Sequence, residues 1–154
     1  MMKLSCEVIK QLGVRTIATA ESCTGGMIGA ALTSVPGSSA VYKGGIISYT
    51  NEVKILALGV REDSLERYGA VSAAVAEEMS QGVRKALKTD FAVSVTGLAG
   101  PGGDEYGNPV GTVYIGLADE NSTEVRHYLF SGNRDSIRKQ AAEAAMNLIL
   151  EKIS

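Results

Sequence analysis

Three stretches of this sequence crowd hydroxyls, a thiol, a lysine and glycines together as a catalytic site requires. The first is Glu21-Ser22-Cys23-Thr24-Gly25-Gly26. Its side chains include candidate nucleophiles, and its glycines let the backbone approach a ligand. If a helix starts there, its free N–H groups suit an anion or a developing oxyanion. The plain alternative is that Ser22 or Thr24 caps the helix and the glycines ease packing. The second stretch is Ser48-Tyr49-Thr50-Asn51-Glu52-Val53-Lys54. Its lysine can act as a general base only if burial or a nearby cation lowers its pKa by several units. An exposed helix lysine is the commoner case. The third is Val95-Thr96-Gly97-Leu98-Ala99-Gly100-Pro101-Gly102-Gly103. It has no phosphate-binding P-loop lysine and does not fit G-x-G-x-x-G after a strand, so nucleotide-triphosphate hydrolysis and dinucleotide binding both lose ground. A backbone nest around a ligand is still open to it, as is a long mobile loop.

Two arginines, Arg134 and Arg138, stand one turn apart where the last helix should begin. The helix dipole disfavours cations there by up to about 1 kcal/mol, so a bound anion or a solvated face must account for them. Cys23 near a helix start would have a lowered pKa, but a reactive thiolate usually needs a histidine partner. The only histidine, His127, lies in the strand-like Val125-Arg126-His127-Tyr128, with no acidic or nucleophilic sequence neighbour. Cys23 therefore ranks below Ser22. There is no HExxH, no CxxC and no dense acidic cluster, so no metal or cofactor is expected. What remains is Ser or Thr with a lysine or tyrosine partner, or the Cys23 thiol.

The elements that must position these groups can be read from periodicity. Leu4, Val8 and Leu12 share a face of a helix over residues 3–12, closed by Gly13. Residues 15–19 read as a strand, 27–34 as a helix ending before Pro36-Gly37, and 45–50 as a second strand. Short helical pieces follow at 51–57 and 61–68. Ser72 reads as the N-cap of a helix to Leu87, with Val75, Met79, Val83 and Ala86 on its apolar face. Residues 91–95 form a strand buried on both faces. Residues 97–109 form a glycine-rich loop, and strands at 111–117 and 124–130 make a hairpin. The last helix starts near Asn133, with Ile137, Ala141, Ala144 and Leu148 on one face. The order α β α β α α α β β β α predicts a single-domain, three-layer α/β/α sandwich over residues 1–154, around a mixed, mostly parallel sheet.

Composition agrees. The 154 residues are 45% hydrophobic and 21% charged with a net charge of −2, which argues against disorder and offers no basic footprint for nucleic acid. No apolar run is long enough for a membrane span, and the N-terminus reaches Glu7 without a signal-peptide core. Two cysteines make no disulfide framework, so a reduced, cytoplasmic setting is expected. Eighteen glycines, no tryptophan and two phenylalanines leave an aliphatic core, suited to tight βα units.

Taken together, the three stretches resemble the CinA C-terminal-domain family, the nicotinamide-nucleotide amidohydrolases. Pro36-Gly37-Ser38-Ser39, Gly69-Ala70-Val71-Ser72, Pro109-Val110-Gly111-Thr112-Val113 and Phe130-Ser131-Gly132-Asn133-Arg134 carry the likeness further, from Ala18 to about Ala145. The resemblance implies a cytoplasmic enzyme of pyridine-nucleotide salvage with a five-stranded mixed sheet. It would hydrolyse the carboxamide of nicotinamide mononucleotide to nicotinic acid mononucleotide and ammonia. Many relatives carry a preceding molybdopterin-binding-like domain with nucleotide pyrophosphatase activity. Nothing precedes Met1 here, so that activity is expected to be absent. The expected roles are Ser22 as nucleophile, Lys54 as base and Tyr49 as proton relay. Thr24, Gly25 and Gly26, helped by Thr96, would hold the oxyanion. Arg138 with Arg134 would hold the phosphate, and Ser39 and Asn51 the rest of the substrate. Ser39, Ser48 and Thr96 stay open as nucleophiles. A homo-oligomer is expected. Two other readings stand beside this one: a non-catalytic domain linked to competence or DNA damage, and a different amidohydrolase using Cys23.

Overall fold

The computed structural model describes residues 1–154, and its elements follow the expected order. The helices are α1 (Met2–Leu12), α2 (Met27–Thr33), α3 (Asn51–Leu58), α4 (Glu62–Tyr68), α5 (Ala73–Leu87) and α6 (Arg134–Ile153). The strands are β1 (Ile17–Glu21), β2 (Tyr42–Ile47), β3 (Phe91–Gly97), β4 (Thr112–Ala118) and β5 (Thr123–Leu129). They form one sheet in the order β2-β1-β3-β4-β5. β1 pairs in parallel with β2 and β3, while β4 runs antiparallel to β3 and β5, so four strands share one direction.

Helices cover both faces, and side-chain alternation along the strands decides which. Ile17, Val93 and Val95 join Val8, Leu12, Ile28, Ile137 and Ile149 in the larger core, under α1, α2 and α6. Ala18, Ala20 and Ala92 face the other way, onto Val75, Met79 and Val83 of α5. That second face is built from small residues, so α5 lies close to the sheet. Ser94 Oγ donates to the Ala76 carbonyl at 2.6 Å, and a Cβ on Gly116 would stand 2.7 Å from the same oxygen. β3 is covered on both faces as expected from Ala92 to Thr96, while Phe91 at its start is half-buried.

Several boundaries differ from the periodicity reading. β1 starts two residues late because Arg15 closes α1, its Nε donating to Leu12 O at 3.1 Å and its backbone N–H to the same carbonyl at 3.0 Å. β2 starts and ends three residues early. Parallel pairing sets Glu21 opposite Ile47, and Thr50 is the N-cap of α3. Ser38–Ala40 forms an unexpected 3₁₀ turn. On α5 the buried stripe runs through Ala76 and Ser80, and Ala86 is exposed. No helix is long and apolar enough to cross a membrane.

Candidate active site

The C-terminal ends of the parallel strands β1, β2 and β3 lie side by side, where open α/β sheets place their ligands. The chain leaves them as Ser22, Ser48 and Leu98, which begin the three stretches or sit within them. A cavity of about 310 Å³ opens there, and its walls include Ser22, Tyr49, Asn51, Lys54, Thr96 and Arg134.

Lys54 reaches the cavity because Thr50 starts α3 with the right phase. Thr50 Oγ1 accepts the Val53 N–H at 3.3 Å, which leaves Lys54 and Leu58, one turn apart, as the buried residues of the helix. Only 1% of Lys54 is exposed. Its Nζ donates to Ser48 O at 2.7 Å and to Ser22 Oγ at 3.0 Å. No carboxylate balances the ammonium, and burial pulls its pKa from 10.5 down to about 8. This lysine is therefore the buried exception to the exposed-helix alternative. Ser22 is the one hydroxyl that meets it. The Thr96 hydroxyl lies 1% exposed and donates to Ala70 O at 2.8 Å, so it cannot also donate to an oxyanion.

The residues after Ser22 behave differently from the sequence reading. Glu21, 2% exposed, turns its carboxylate onto the start of α2. Oε1 accepts from Thr24 Oγ1 at 2.7 Å, Gly26 N at 3.2 Å and Ile28 N at 3.0 Å, and Oε2 accepts from Gly29 N at 2.9 Å. The Gly25 N–H donates to Ser22 O at 3.1 Å. Thr24, Gly25 and Gly26 are thus corrected from oxyanion donors to scaffold: their turn is closed by the chain's own carboxylate, and none lines the cavity. Among the lining residues whose backbone N–H groups donate to nothing in the chain are Ala99 and Gly100. The Glu21 signal was present in the sequence, as an acid at a strand end just before a glycine-led helix.

Arg138 is corrected as well. Its Nε donates to Cys23 O at 2.9 Å and its Nη2 to Thr24 O at 3.3 Å, so it braces the Ser22–Thr24 turn from behind and is not a wall of the cavity. Arg134, one turn earlier, does reach the mouth. It donates to Gly100 O at 2.7 Å and to Tyr49 Oη at 3.1 Å, bridging two sides of the opening. Tyr49 is 60% exposed and meets Arg134 rather than Ser22 or Lys54, so a proton relay is replaced by a rim position. Asn51 lines the same rim. Ser39 lies outside its own chain's cavity. It precedes β2 and so sits at the opposite end of the parallel strands, about 20 Å away for a strand of this length.

Cys23 is buried, and the desolvation of its thiolate pushes the thiol up to about 11, opposite to the expected lowering. The α2 N-terminus that would have acidified it is already occupied by Glu21. His127 stacks on Tyr114 at 4.7 Å, away from the cavity.

The glycine-rich loop is pinned rather than free. Tyr106 Oη donates to Leu65 O at 3.1 Å and Asn108 Nδ2 to Val71 O at 3.1 Å, while Asp104 Oδ1 accepts the Tyr106 and Asn108 N–H groups, both at 3.0 Å. A Cβ on Gly69 would strike the Tyr106 ring at 2.6 Å, so the loop docks where a side chain is missing. Asp104, whose side chain accepts from the backbone two residues on as Asp does in turns, was the legible sign of this.

Comparison with known proteins bears on the same elements. The family model of the CinA C-terminal domain matches residues 2–153. A CinA-like protein of Cyanothece sp. is 52% identical over 140 residues, covering 90% of this chain and 34% of the relative. A CinA-like protein of Endomicrobium trichonymphae is 48% identical over 139 residues, covering 90% of this chain and 32% of the relative. The chain therefore spans about a third of the length of the curated relatives it matches. Among solved structures, the competence damage-inducible protein A of Klebsiella pneumoniae superposes with a TM-score of 0.96 at 35% identity, covering 98% of this chain and 95% of that one. The competence/damage inducible protein of Agrobacterium tumefaciens gives 0.91 at 37% identity, covering 97% and 93%.

Proposed function

The chain belongs to the CinA C-terminal domain family, and from that premise we propose that it is a cytoplasmic, metal-independent amidohydrolase of pyridine-nucleotide salvage. Its substrate is nicotinamide mononucleotide, and its products are nicotinic acid mononucleotide and ammonia. The observation that carries this reading is the Ser22–Lys54 pair, 3.0 Å apart and buried at the end of a cavity. A lysine with a pKa near 8 is partly neutral at neutral pH, and the pair then holds both nucleophile and base.

In the neutral state one Lys54 N–H stays on the Ser48 carbonyl, and the lone pair faces the Ser22 hydroxyl. Ser22 Oγ attacks the carboxamide carbon as its proton passes to Nζ. The oxyanion forms against the free N–H groups of Ala99 and Gly100, each worth about 3 kcal/mol in such a role. Lys54 then gives its proton to the departing nitrogen, ammonia leaves, and Ser22 carries the acyl group as an ester. Water attacks the ester while Lys54 takes its proton, and as the C–O bond to Ser22 breaks Lys54 returns that proton to Ser22 Oγ, releasing the acid and restoring both residues. Arg134, at the mouth, holds the phosphate that distinguishes the nucleotide from its riboside.

Purified protein should release ammonia from nicotinamide mononucleotide at an unchanged rate with a chelator present. Loss of turnover with chelator would overturn the metal-independent mechanism. No release from folded protein would favour the non-catalytic domain instead. For Arg134→Ala we expect KM for the mononucleotide to rise about tenfold, the worth of one charge-assisted contact, with the riboside unaffected. An equal rise for both substrates would make Arg134 a brace for the cavity mouth rather than a phosphate ligand.

A further inference from the structure

We propose that Glu21 is a positioning residue for the nucleophile: with Arg138 it clamps the Ser22–Thr24 turn and so sets where Ser22 Oγ stands relative to Lys54. This rests on the assignment of Ser22 as nucleophile. The turn is held from both sides by opposite charges. The Thr24 hydroxyl of the turn, together with the Gly26, Ile28 and Gly29 N–H groups where α2 begins, ends on the Glu21 carboxylate through four hydrogen bonds between 2.7 and 3.2 Å. The turn's carbonyls at Cys23 and Thr24 end on the Arg138 guanidinium. A third tie, from Ser22 N to Val95 O at 3.0 Å, fixes the turn to β3.

α2 has seven residues and is too short to hold its own first turn by helix propensity. A neutral cap would satisfy one or two of these donors; a carboxylate satisfies four and also complements the helix dipole. Glu21 does not line the cavity, so it touches neither substrate nor reacting atoms and acts through Ser22. Its charge also fills the α2 N-terminus, which leaves the substrate's anion to the rim at Arg134.

The test reads the nucleophile without relying on the substrate. A small arylsulfonyl fluoride labels Ser22, the site is confirmed by mass spectrometry, and turnover of nicotinamide mononucleotide is measured beside it. In Glu21→Ala we expect labelling of Ser22 and kcat both to slow by about 10²-fold, the cost of a misplaced reacting group. KM should stay nearly unchanged, and the pH midpoint should stay near 8 because Lys54 remains buried. Added formate should recover part of the labelling rate by refilling the space of the carboxylate. Glu21→Gln keeps the size but puts an amide NH₂ where Gly29 N–H needs an acceptor, and should fall between wild type and Glu21→Ala. It serves as the deciding variant if the alanine protein does not fold. Wild-type labelling rates in either folded variant would overturn the proposal, as would a raised KM at constant kcat, which would place the carboxylate on the substrate. Wild-type protein that labels at Ser22 but releases no ammonia would refute the substrate reading alone. Wild-type protein that does not label at Ser22 would refute the clamp.

Discussion

Lys54→Met is expected to lose turnover by about 10³-fold and, at pH 7, to melt above the wild type. The first effect follows from removing the base, whose loss typically costs about 10² to 10⁴ in rate. The second follows from the cost of burying an ammonium with no carboxylate partner. The pKa of Lys54 falls from 10.5 to about 8 on folding, which below pH 8 corresponds to about 3 kcal/mol against the folded state. Methionine removes that cost but leaves Ser48 O without its donor. A net gain of about 1–2 kcal/mol should remain, or a few degrees in melting temperature. The sign with pH is fixed. Between pH 8 and 10.5 the unfolded chain binds the proton that the folded chain has lost, so wild-type stability rises with pH and the gap to Lys54→Met closes. The wild-type rate should rise through a single ionisation near pH 8. A methionine variant that melts lower at pH 7, by the same margin as at pH 10, would show that the ammonium is stabilising and the lysine not poised as a base.

Ser22→Ala should cost about 10³-fold or more in kcat with little change in melting temperature, because the side chain removed is small and sits at the cavity edge. The stronger expectation concerns the double variant. Nucleophile and base that act as one unit lose their rate once, so Ser22→Ala with Lys54→Met should be no slower than the worse single variant. Losses that multiply would mean that the two groups act independently, and activity surviving in Ser22→Ala would pass the attack to a water held by Lys54.

The limits of legibility are visible in four residues. Lys54 could be picked out as a candidate because it follows a hydroxyl-rich strand end, but its burial depends on the phase set by the Thr50 cap and on the packing of α3 against α5. Arg134 and Arg138 share a face and a charge, and a sequence cannot separate them. One turn of helix, about 5.4 Å, puts the first at the cavity mouth and the second behind the Ser22 turn. Glu21 shows in the sequence only as an acid before a glycine-led helix; its role is to satisfy backbone donors, and which donors are free is known only once α2 is placed.

By itself, the sequence determined the element order, the layering and the three stretches that meet at the site. These follow from side-chain periodicity, caps and glycine positions, which act over a few residues. The ends of β2, the removal of Ser39 from its own chain's cavity and the choice of Ser22 as the partner of Lys54 were decided by the tertiary structure. So were the raised thiol of Cys23 and the division of labour between the two arginines. Each depends on which groups lose water and which donors meet which acceptors across residues far apart in the chain, and those are properties of the packed sheet rather than of any one segment.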